Sequence, residues 1–112
     1  MTKSTSPKNV IIYQDPAGRE PFSKWLNDLR DPGIRRRILK RLIRVENGNY
    51  GDYKNVGGGV YELRFFFGSG SRIYFGEDGK TIVVLLCGGD KDSQRIDIQK
   101  AQIYWKEYKS HG

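Results

Sequence analysis

Apolar positions in the first third of the chain change from a continuous run to helical spacing. Residues 9–14 contain four consecutive apolar side chains, which predict a short buried strand. Asp15, Pro16 and Gly18 supply the turn that ends it, because Pro fixes φ and Gly permits positive φ. Apolar side chains then recur three and four residues apart, which predicts a first helix. Its buried positions are Phe22, Trp25, Leu26 and Leu29.

A second helix is predicted from Asp31 to about Asn47. Asp31 suits the N-cap position and Pro32 the first helical position. The predicted buried stripe consists of Ile34, Ile38, Leu42 and Val45, widened by Leu39 and Ile43. The short connection between the two helices predicts a helical hairpin.

The middle of the chain changes to the composition of loops and strands. Residues 48–59 contain five glycines and favour an exposed loop. Three β-rich runs follow at 60–67, 71–76 and 81–87, joined by short Gly-bearing links that suit hairpins. We therefore predict a three-stranded antiparallel meander.

A last helix is predicted after the meander, capped by Asp92 or Ser93. Its buried positions are Ile98, Ala101, Trp105 and Tyr108. The order strand, helix, helix, three strands, helix defines an α+β fold, with one face of the sheet expected to be open and to carry the chemistry. Residues 9–110 are expected to form a single domain, because 112 residues scarcely supply two cores, and residues 1–8 a flexible leader.

Composition gives the chain a strong positive charge. Twenty Lys and Arg against thirteen Asp and Glu give a net charge of +7, which attracts phosphate groups or an acidic protein surface. Cys87 is the single cysteine and lies in an apolar run, so we expect it to be buried in a reducing, cytoplasmic setting. No run approaches the ~20 apolar residues of a membrane span, and no membrane association is expected.

The common motifs for cofactors and metals are absent from the sequence. It has no phosphate-binding glycine motif, no paired CxxC and no HExxH. We therefore expect no cofactor and no metal. His111, the single histidine, lies next to the C-terminal residue, where fraying argues against catalysis. Cations remain as the candidate functional groups.

One set of cations lies on the second predicted helix. Its members are Arg35, Arg36, Arg37, Lys40, Arg41 and Arg44. A solvated helix face is the ordinary explanation for such a set. The functional explanation is a surface that binds phosphates or an acidic partner, with Arg36, Lys40 and Arg41 as the RNA-binding candidates.

A second set of cations lies along the predicted strands. Alternation places Arg64 on the same face as Glu62. It also places Arg72 on the same face as Tyr74 in the next strand. With a suitable register Arg64 and Arg72 meet across a hairpin, where two like charges cost free energy unless an anion lies between them. The ordinary alternative is a pair of exposed arginines neutralised by Glu62 or Asp78.

Motifs along nearly the whole chain resemble a known family of toxins. In chain order they are Pro21-Phe22-Ser23-Lys24-Trp25-Leu26, Gly51-Asp52-Tyr53-Lys54, Val60-Tyr61-Glu62-Leu63-Arg64, Ser71-Arg72-Ile73-Tyr74, Leu85-Leu86-Cys87-Gly88-Gly89-Asp90-Lys91 and Ser93-Gln94. They resemble the addiction-module killer proteins, a HigB-like branch of the RelE/ParE toxins. The resemblance implies a RelE-like fold, a cognate helix-turn-helix antitoxin and ribosome-dependent cleavage of mRNA.

The resemblance also implies roles for individual residues. Arg64, Arg72 and Lys91 resemble the basic catalytic residues on the RNA-cleaving face of such toxins, and Lys54 is a fourth cation at a matching position. Cleavage requires a proton to leave the attacking 2′-hydroxyl, charge to be neutralised at phosphorus and a proton to reach the leaving 5′-oxygen. Arginine geometry suits the phosphoryl oxygens, and Lys91 or Lys54 suits the proton transfers.

One departure from the family leaves other functions open. Tyr74 and Gln94 are further candidates for binding RNA, but Gln94 and Asp97 stand where many relatives carry a tyrosine or histidine. The general acid and base are therefore not assigned. Two alternatives remain, a ParE-like toxin that inhibits DNA gyrase without catalysis and a non-toxic module that binds RNA or the ribosome.

Overall fold

The structure, a computed structural model, describes residues 6–111. The elements in chain order are β1 (Asn9–Ile12), α1 (Pro21–Asp28), α2 (Pro32–Glu46), β2 (Tyr53–Gly57), β3 (Val60–Arg64), β4 (Arg72–Asp78), β5 (Ile82–Gly89), a 3₁₀ turn (Lys91–Ser93) and α3 (Gln94–His111). Within these residues the strands form one five-stranded sheet in the order β1-β5-β4-β3-β2. β1 is parallel to β5, and all other neighbours are antiparallel. The predicted α+β class is confirmed.

The helix starts follow from capping hydrogen bonds. Asp31 caps α2 as predicted, because its Oδ1 accepts a hydrogen bond of 2.8 Å from the backbone N–H of Gly33. The last helix begins at Gln94, directly after Ser93 as predicted, but the capping hydrogen bonds lie earlier in the chain. Asp90 is the cap, with its Oδ1 accepting from the backbone N–H groups of Asp92 and Ser93 at 2.9 and 3.2 Å. A single 3₁₀ turn precedes α3, so the cap lies one turn earlier than the pattern indicated.

The loop predicted at residues 48–59 contains the strand β2. Tyr53–Gly57 pairs with β3 at the edge of the sheet, so the meander has four strands instead of three. Its side chains are mostly exposed, and an edge strand of this kind lacks the buried alternation that reveals a strand in a sequence. The following glycines form the hairpin turn, with φ of +98° at Gly57 and +64° at Gly58.

Helices cover both faces of the sheet. α1 and α2 enclose one apolar core, in which the buried residues include Phe22, Ile38, Leu63, Ile73 and Phe75. α3 encloses a second one, which includes Val60, Tyr74, Leu86, Ala101 and Trp105. The predicted open face is therefore wrong, because the long α3 packs on it. At the end of this face, where β3 ends and β4 begins, an accessible cleft remains.

Several burial predictions are corrected at the edges of these cores. Leu39 and Ile43 of α2 are 46% and 57% exposed, so the buried stripe is narrower than predicted. Ile12 in the edge strand β1 is exposed as well. Cys87 is buried, as its apolar run indicated. None of the helices among the described residues is long and apolar enough to cross a membrane.

The leader predicted at residues 1–8 lies mostly outside the described residues. Lys8, at its end, is held firmly. Its backbone N–H donates a 2.7 Å hydrogen bond to the carbonyl of Glu46, and its Nζ donates one of 2.6 Å to the carbonyl of Lys80. Lys8, the last residue of the predicted leader, is therefore hydrogen-bonded to two separate parts of the chain.

Candidate functional site

Arg64 and Arg72 lie directly opposite each other at the end of the β3–β4 pair. This is the register that the sequence pattern required for the two to meet. Both lie on the face covered further along by α3, since Glu62 and Tyr74, two residues along each strand, also pair directly. The pairing of the two strands thereby fixes the backbones of two arginines opposite each other on one face of the sheet.

These arginines line an open cleft of about 390 Å³ together with Lys91 and Asp92. The connection between β3 and β4 forms another wall, from Phe65 to Gly70. A Cβ added at Gly70 would lie 3.3 Å from Nη1 of Arg72 and 3.6 Å from Cδ of Lys91. Three of the cations predicted from the sequence therefore converge on one cleft, although they come from separate elements.

Each arginine of the cleft faces a carboxylate with its Nε atom. Nε of Arg72 is 3.5 Å from Oε2 of Glu62, and Nε of Arg64 is 3.4 Å from Oδ2 of Asp52. Neither Nε makes a hydrogen bond to any of residues 6–111. The ordinary explanation for these arginines was neutralisation by Glu62 or Asp78. Arg72 does pair with Glu62. Asp78, the other foreseen partner, instead accepts a hydrogen bond from the hydroxyl of Tyr108 at 2.8 Å.

This pairing uses only the Nε atoms, and three of the four outer nitrogens of the two guanidinium groups have no hydrogen-bond acceptor among the described residues. Nη1 of Arg72 donates to the carbonyl of Gly70 at 2.8 Å. Within residues 6–111 there is no hydrogen bond from Nη2 of Arg72, or from either Nη of Arg64, to a protein acceptor. Guanidinium groups held in this way present parallel N–H donors to a phosphoryl group.

Glu62 lies at the centre of a buried polar network behind the cleft. Its side chain has no exposed surface. Its Oε2 accepts hydrogen bonds from the hydroxyl of Tyr74 at 3.1 Å and from Nε2 of Gln94 at 2.8 Å, while Oε1 has no partner among the described residues. A carboxylate buried in this way is unfavourable unless a charge compensates it, which ties Glu62 to Arg72.

The network changes the roles predicted for Tyr74 and Gln94. Tyr74 is fully buried and cannot touch an RNA, and burial followed by the charge of Glu62 raises the pKa of its hydroxyl far above the ordinary value. The side-chain N–H of Gln94 is already bonded to Glu62. Both residues therefore lie behind Arg72 and support it through Glu62.

The first turn of α3 is anchored beside this network. Ser93 donates a short hydrogen bond from its hydroxyl to Asp97, whose buried carboxylate packs directly against the backbone of Gly89. Gly89 is the β5 partner of Arg72, and only a glycine leaves room there for Asp97. Burial, followed by the charge of Asp97, raises the pKa of the Cys87 thiol to about 12, which favours the protonated thiol over the reactive thiolate.

The predicted cations outside the cleft occupy different positions. Lys54 is exposed on β2 directly opposite Glu62, on the cleft side of the sheet but not in the cleft wall. Arg36 and Lys40 are exposed on α2. They form no ion pair with another described residue.

Arg41 has a structural role that the sequence did not reveal. Its guanidinium donates to the carbonyls of Tyr50, Arg64 and Asp52 at 2.8, 2.9 and 2.8 Å. Burial, followed by the nearby charge of Arg44, lowers its pKa below the ordinary value. Because its donors are occupied by protein carbonyls, the RNA-binding role predicted for Arg41 does not fit. It instead clamps the end of β3 to α2.

Two residues of the cleft were missed by sequence reasoning. Asp92 contributes the one carboxylate of the described cleft wall. Phe66 is 81% exposed, and Cζ of Arg64 lies 6.0 Å from its ring centroid. The three consecutive phenylalanines were the available signal, because the outer two belong to the core while the middle one is exposed beside Arg64. No group of three or more metal-ligating side chains occurs in the described part of the chain.

The fold and the cleft together define a small basic α+β protein with an open cleft lined by three cationic side chains. The sequence profile described as "Phage derived protein Gp49-like (DUF891)" matches residues 24–109, and the chain belongs to that family. An uncharacterized protein of Haemophilus influenzae is 40% identical over 86 residues, which cover 77% of this chain and 87% of the relative. The profile match contains every residue of the cleft.

Proposed function

We propose that this protein is the toxin of a type II toxin–antitoxin pair and that it cleaves mRNA on the ribosome without a metal ion. The convergence of Arg64, Arg72 and Lys91 on one open cleft carries this proposal. A toxin that only binds gyrase has no need for such a cleft. The resemblance of the sequence motifs to the RelE/ParE toxins and the membership of a phage-derived family support the toxin assignment.

In the proposed reaction the 2′-hydroxyl attacks the adjacent phosphorus and expels the 5′-oxygen of the next nucleotide. Arg64 and Arg72 bind the non-bridging oxygens, on which negative charge increases in the transition state. Lys91 donates a proton to the leaving 5′-oxygen. Asp92 is the carboxylate at the cleft that accepts the proton of the 2′-hydroxyl. All four groups act from one surface, so no cofactor is required.

The proposed partners follow from the charge of the chain. A net charge of +7 favours the ribosome and its mRNA as the target. It also favours a helix-turn-helix antitoxin that is acidic where it docks on the basic surface. We expect the association rate with that antitoxin to fall as salt is raised, because opposite charges speed the encounter. A rate that is insensitive to ionic strength would argue against this mode of docking.

Expression of the chain without an antitoxin tests the proposed function. Growth should stop, and purified protein should cut mRNA bound to ribosomes, while Arg72→Ala at the same soluble level should permit growth. Normal growth with the unaltered chain would disprove the toxin assignment. Growth arrest with intact mRNA would disprove the nuclease and direct attention to gyrase.

A further inference from the structure

Phe66 is the most exposed large apolar side chain among the described residues, at 81%. The fold does not need its ring. Phe65 and Phe67, on either side, pack against each other with ring centroids 5.5 Å apart and belong to the core under α2. An exposed phenylalanine forgoes the stabilisation that burial of such a ring provides, so a role outside folding is the better explanation.

The ring is held on a fixed support. Gly68 packs so closely on Ile34 of α2 that a Cβ there would lie 2.9 Å from its Cδ1. The backbone N–H of Gly70 donates to the carbonyl of Phe67 at 3.1 Å and closes the turn. Because these contacts restrain the turn, the backbone that carries Phe66 loses little conformational entropy when a ligand covers the ring.

Cations surround the exposed ring on the cleft side. Arg64 lies over it, and Arg72 and Lys91 line the same cleft. A nucleotide combines a flat apolar base with an anionic phosphate and therefore matches an aromatic ring bordered by guanidinium groups. An apolar side chain of a protein partner would match the ring but would not by itself supply an anion, whereas each nucleotide carries both parts.

We propose that Phe66 is a stacking platform for the nucleobase next to the phosphate that Arg64 and Arg72 bind. The identity of the ligand as single-stranded RNA rests on the proposed function. The platform selects the position of the strand in the cleft, and it is sequence-tolerant because every base offers an aromatic face.

Binding of a fully 2′-O-methylated RNA hexamer to the whole chain tests this platform, since such an RNA cannot be cleaved. Phe66→Ala should weaken the affinity about ten-fold or more, as expected for the loss of one stacked base. Phe66→Trp should retain the affinity. Phe66→Leu, which is apolar but has no ring, should bind like Phe66→Ala. Ile103→Ala is the matched control, because Ile103 is 65% exposed on α3 and away from the cleft.

A 2-aminopurine base in the same hexamer gives a direct readout of stacking. Its fluorescence should be quenched by the unaltered chain and by Phe66→Trp, but not by Phe66→Leu. Thermal unfolding should be unchanged in all of these variants. The inference is overturned if Phe66→Leu binds and quenches like the unaltered chain, or if the unaltered chain does not bind the hexamer. It is also overturned if Phe66→Ala keeps its RNA affinity and instead loses the antitoxin.

The proposed function can fail separately from this inference. A chain that binds RNA through Phe66 but leaves growth and mRNA intact keeps the platform and loses the nuclease. Conversely, if removal of the ring left both mRNA cleavage and hexamer binding unchanged, that result would support the nuclease and disprove the stacking platform.

Discussion

The two faces of the sheet are built from different chemistry. Under α1 and α2 the core is apolar, as the burial of Ile38, Leu63 and Ile73 illustrates. Under α3 the core also encloses the carboxylates of Glu62 and Asp97. Buried carboxylates reduce stability unless hydrogen bonds or opposite charges compensate them. The second face therefore has less apolar packing but holds polar groups in fixed positions. The cleft lies at the end of that second face.

The same contrast separates the two arginines of the cleft. The side chain of Arg72 is 15% exposed and faces the fully buried Glu62. The side chain of Arg64 is 35% exposed, and its partner Asp52 is 38% exposed. An ion pair in the less hydrated environment is screened less and restrains its members more. Arg72 is therefore the rigid donor of the pair and Arg64 the adaptable one.

The largest expected effect comes from removing the rigid donor. Arg72→Ala should lower single-turnover cleavage on ribosomes by roughly 10²-fold or more, the scale for losing one preorganised donor to the transition state. Arg72→Lys should restore little of the lost cleavage. A lysine ammonium group is not planar, so it cannot pair with Glu62 and the phosphate at the same time as a guanidinium group can. Ribosome binding should fall much less. Arg64→Ala is the comparison, with an expected loss of about ten-fold, and equal losses for both would contradict the distinction.

The carboxylate behind Arg72 provides the next test. Glu62→Gln keeps an acceptor for Tyr74 and Gln94 but removes the charge that faces Arg72. We expect bound-state cleavage to fall about ten-fold and the free energy of unfolding to fall by about 1–2 kcal/mol, with ribosome affinity unchanged. Asp52→Asn, at the exposed pair, should change the free energy of unfolding by about 0.5 kcal/mol or less. Similar effects of Glu62→Gln and Asp52→Asn would show that the burial of the carboxylate does not determine its contribution.

Local patterns were sufficient to predict most of the fold. Helix α2 was predicted because Asp31 and Pro32 are a strong start signal and Ile34, Ile38 and Val45 keep helical spacing. β2 was not predicted, because an exposed edge strand next to three glycines has neither apolar alternation nor high strand propensity. Its existence depends on pairing with β3, which is a long-range property.

The cleft, too, was predicted only as far as local patterns reach. Alternation was enough to bring Arg64 and Arg72 to one face, since each strand fixes its own side-chain directions. The commitment of Arg41 to three backbone carbonyls could not be predicted, because those carbonyls come from the Tyr50–Asp52 region and the end of β3. A sequence shows the charge of an arginine but does not show which acceptors surround it.

Arg41 yields a stability prediction that distinguishes it from its neighbours on α2. Arg41→Ala should lower the free energy of unfolding by about 2 kcal/mol, because three carbonyls lose a charged donor. Lys40→Ala, at the adjacent exposed position, should change it by about 0.5 kcal/mol or less. Urea denaturation of both variants measures the difference. If Lys40→Ala were as destabilising as Arg41→Ala, the clamp would not explain the effect.

The smallest expected effect concerns the exposed cations of α2, which lie outside the cleft. Neutralising Arg36 and Lys40 together should weaken ribosome binding several-fold at physiological salt and leave bound-state cleavage unchanged. If both contact phosphates, the slope of log affinity against log salt should become shallower by roughly one to two units, because each contact releases condensed counterions. Binding at three salt concentrations measures that slope, and urea denaturation confirms that folding is intact. An unchanged slope would identify Arg36 and Lys40 as members of an ordinary solvated helix face, with RNA contacts confined to the cleft.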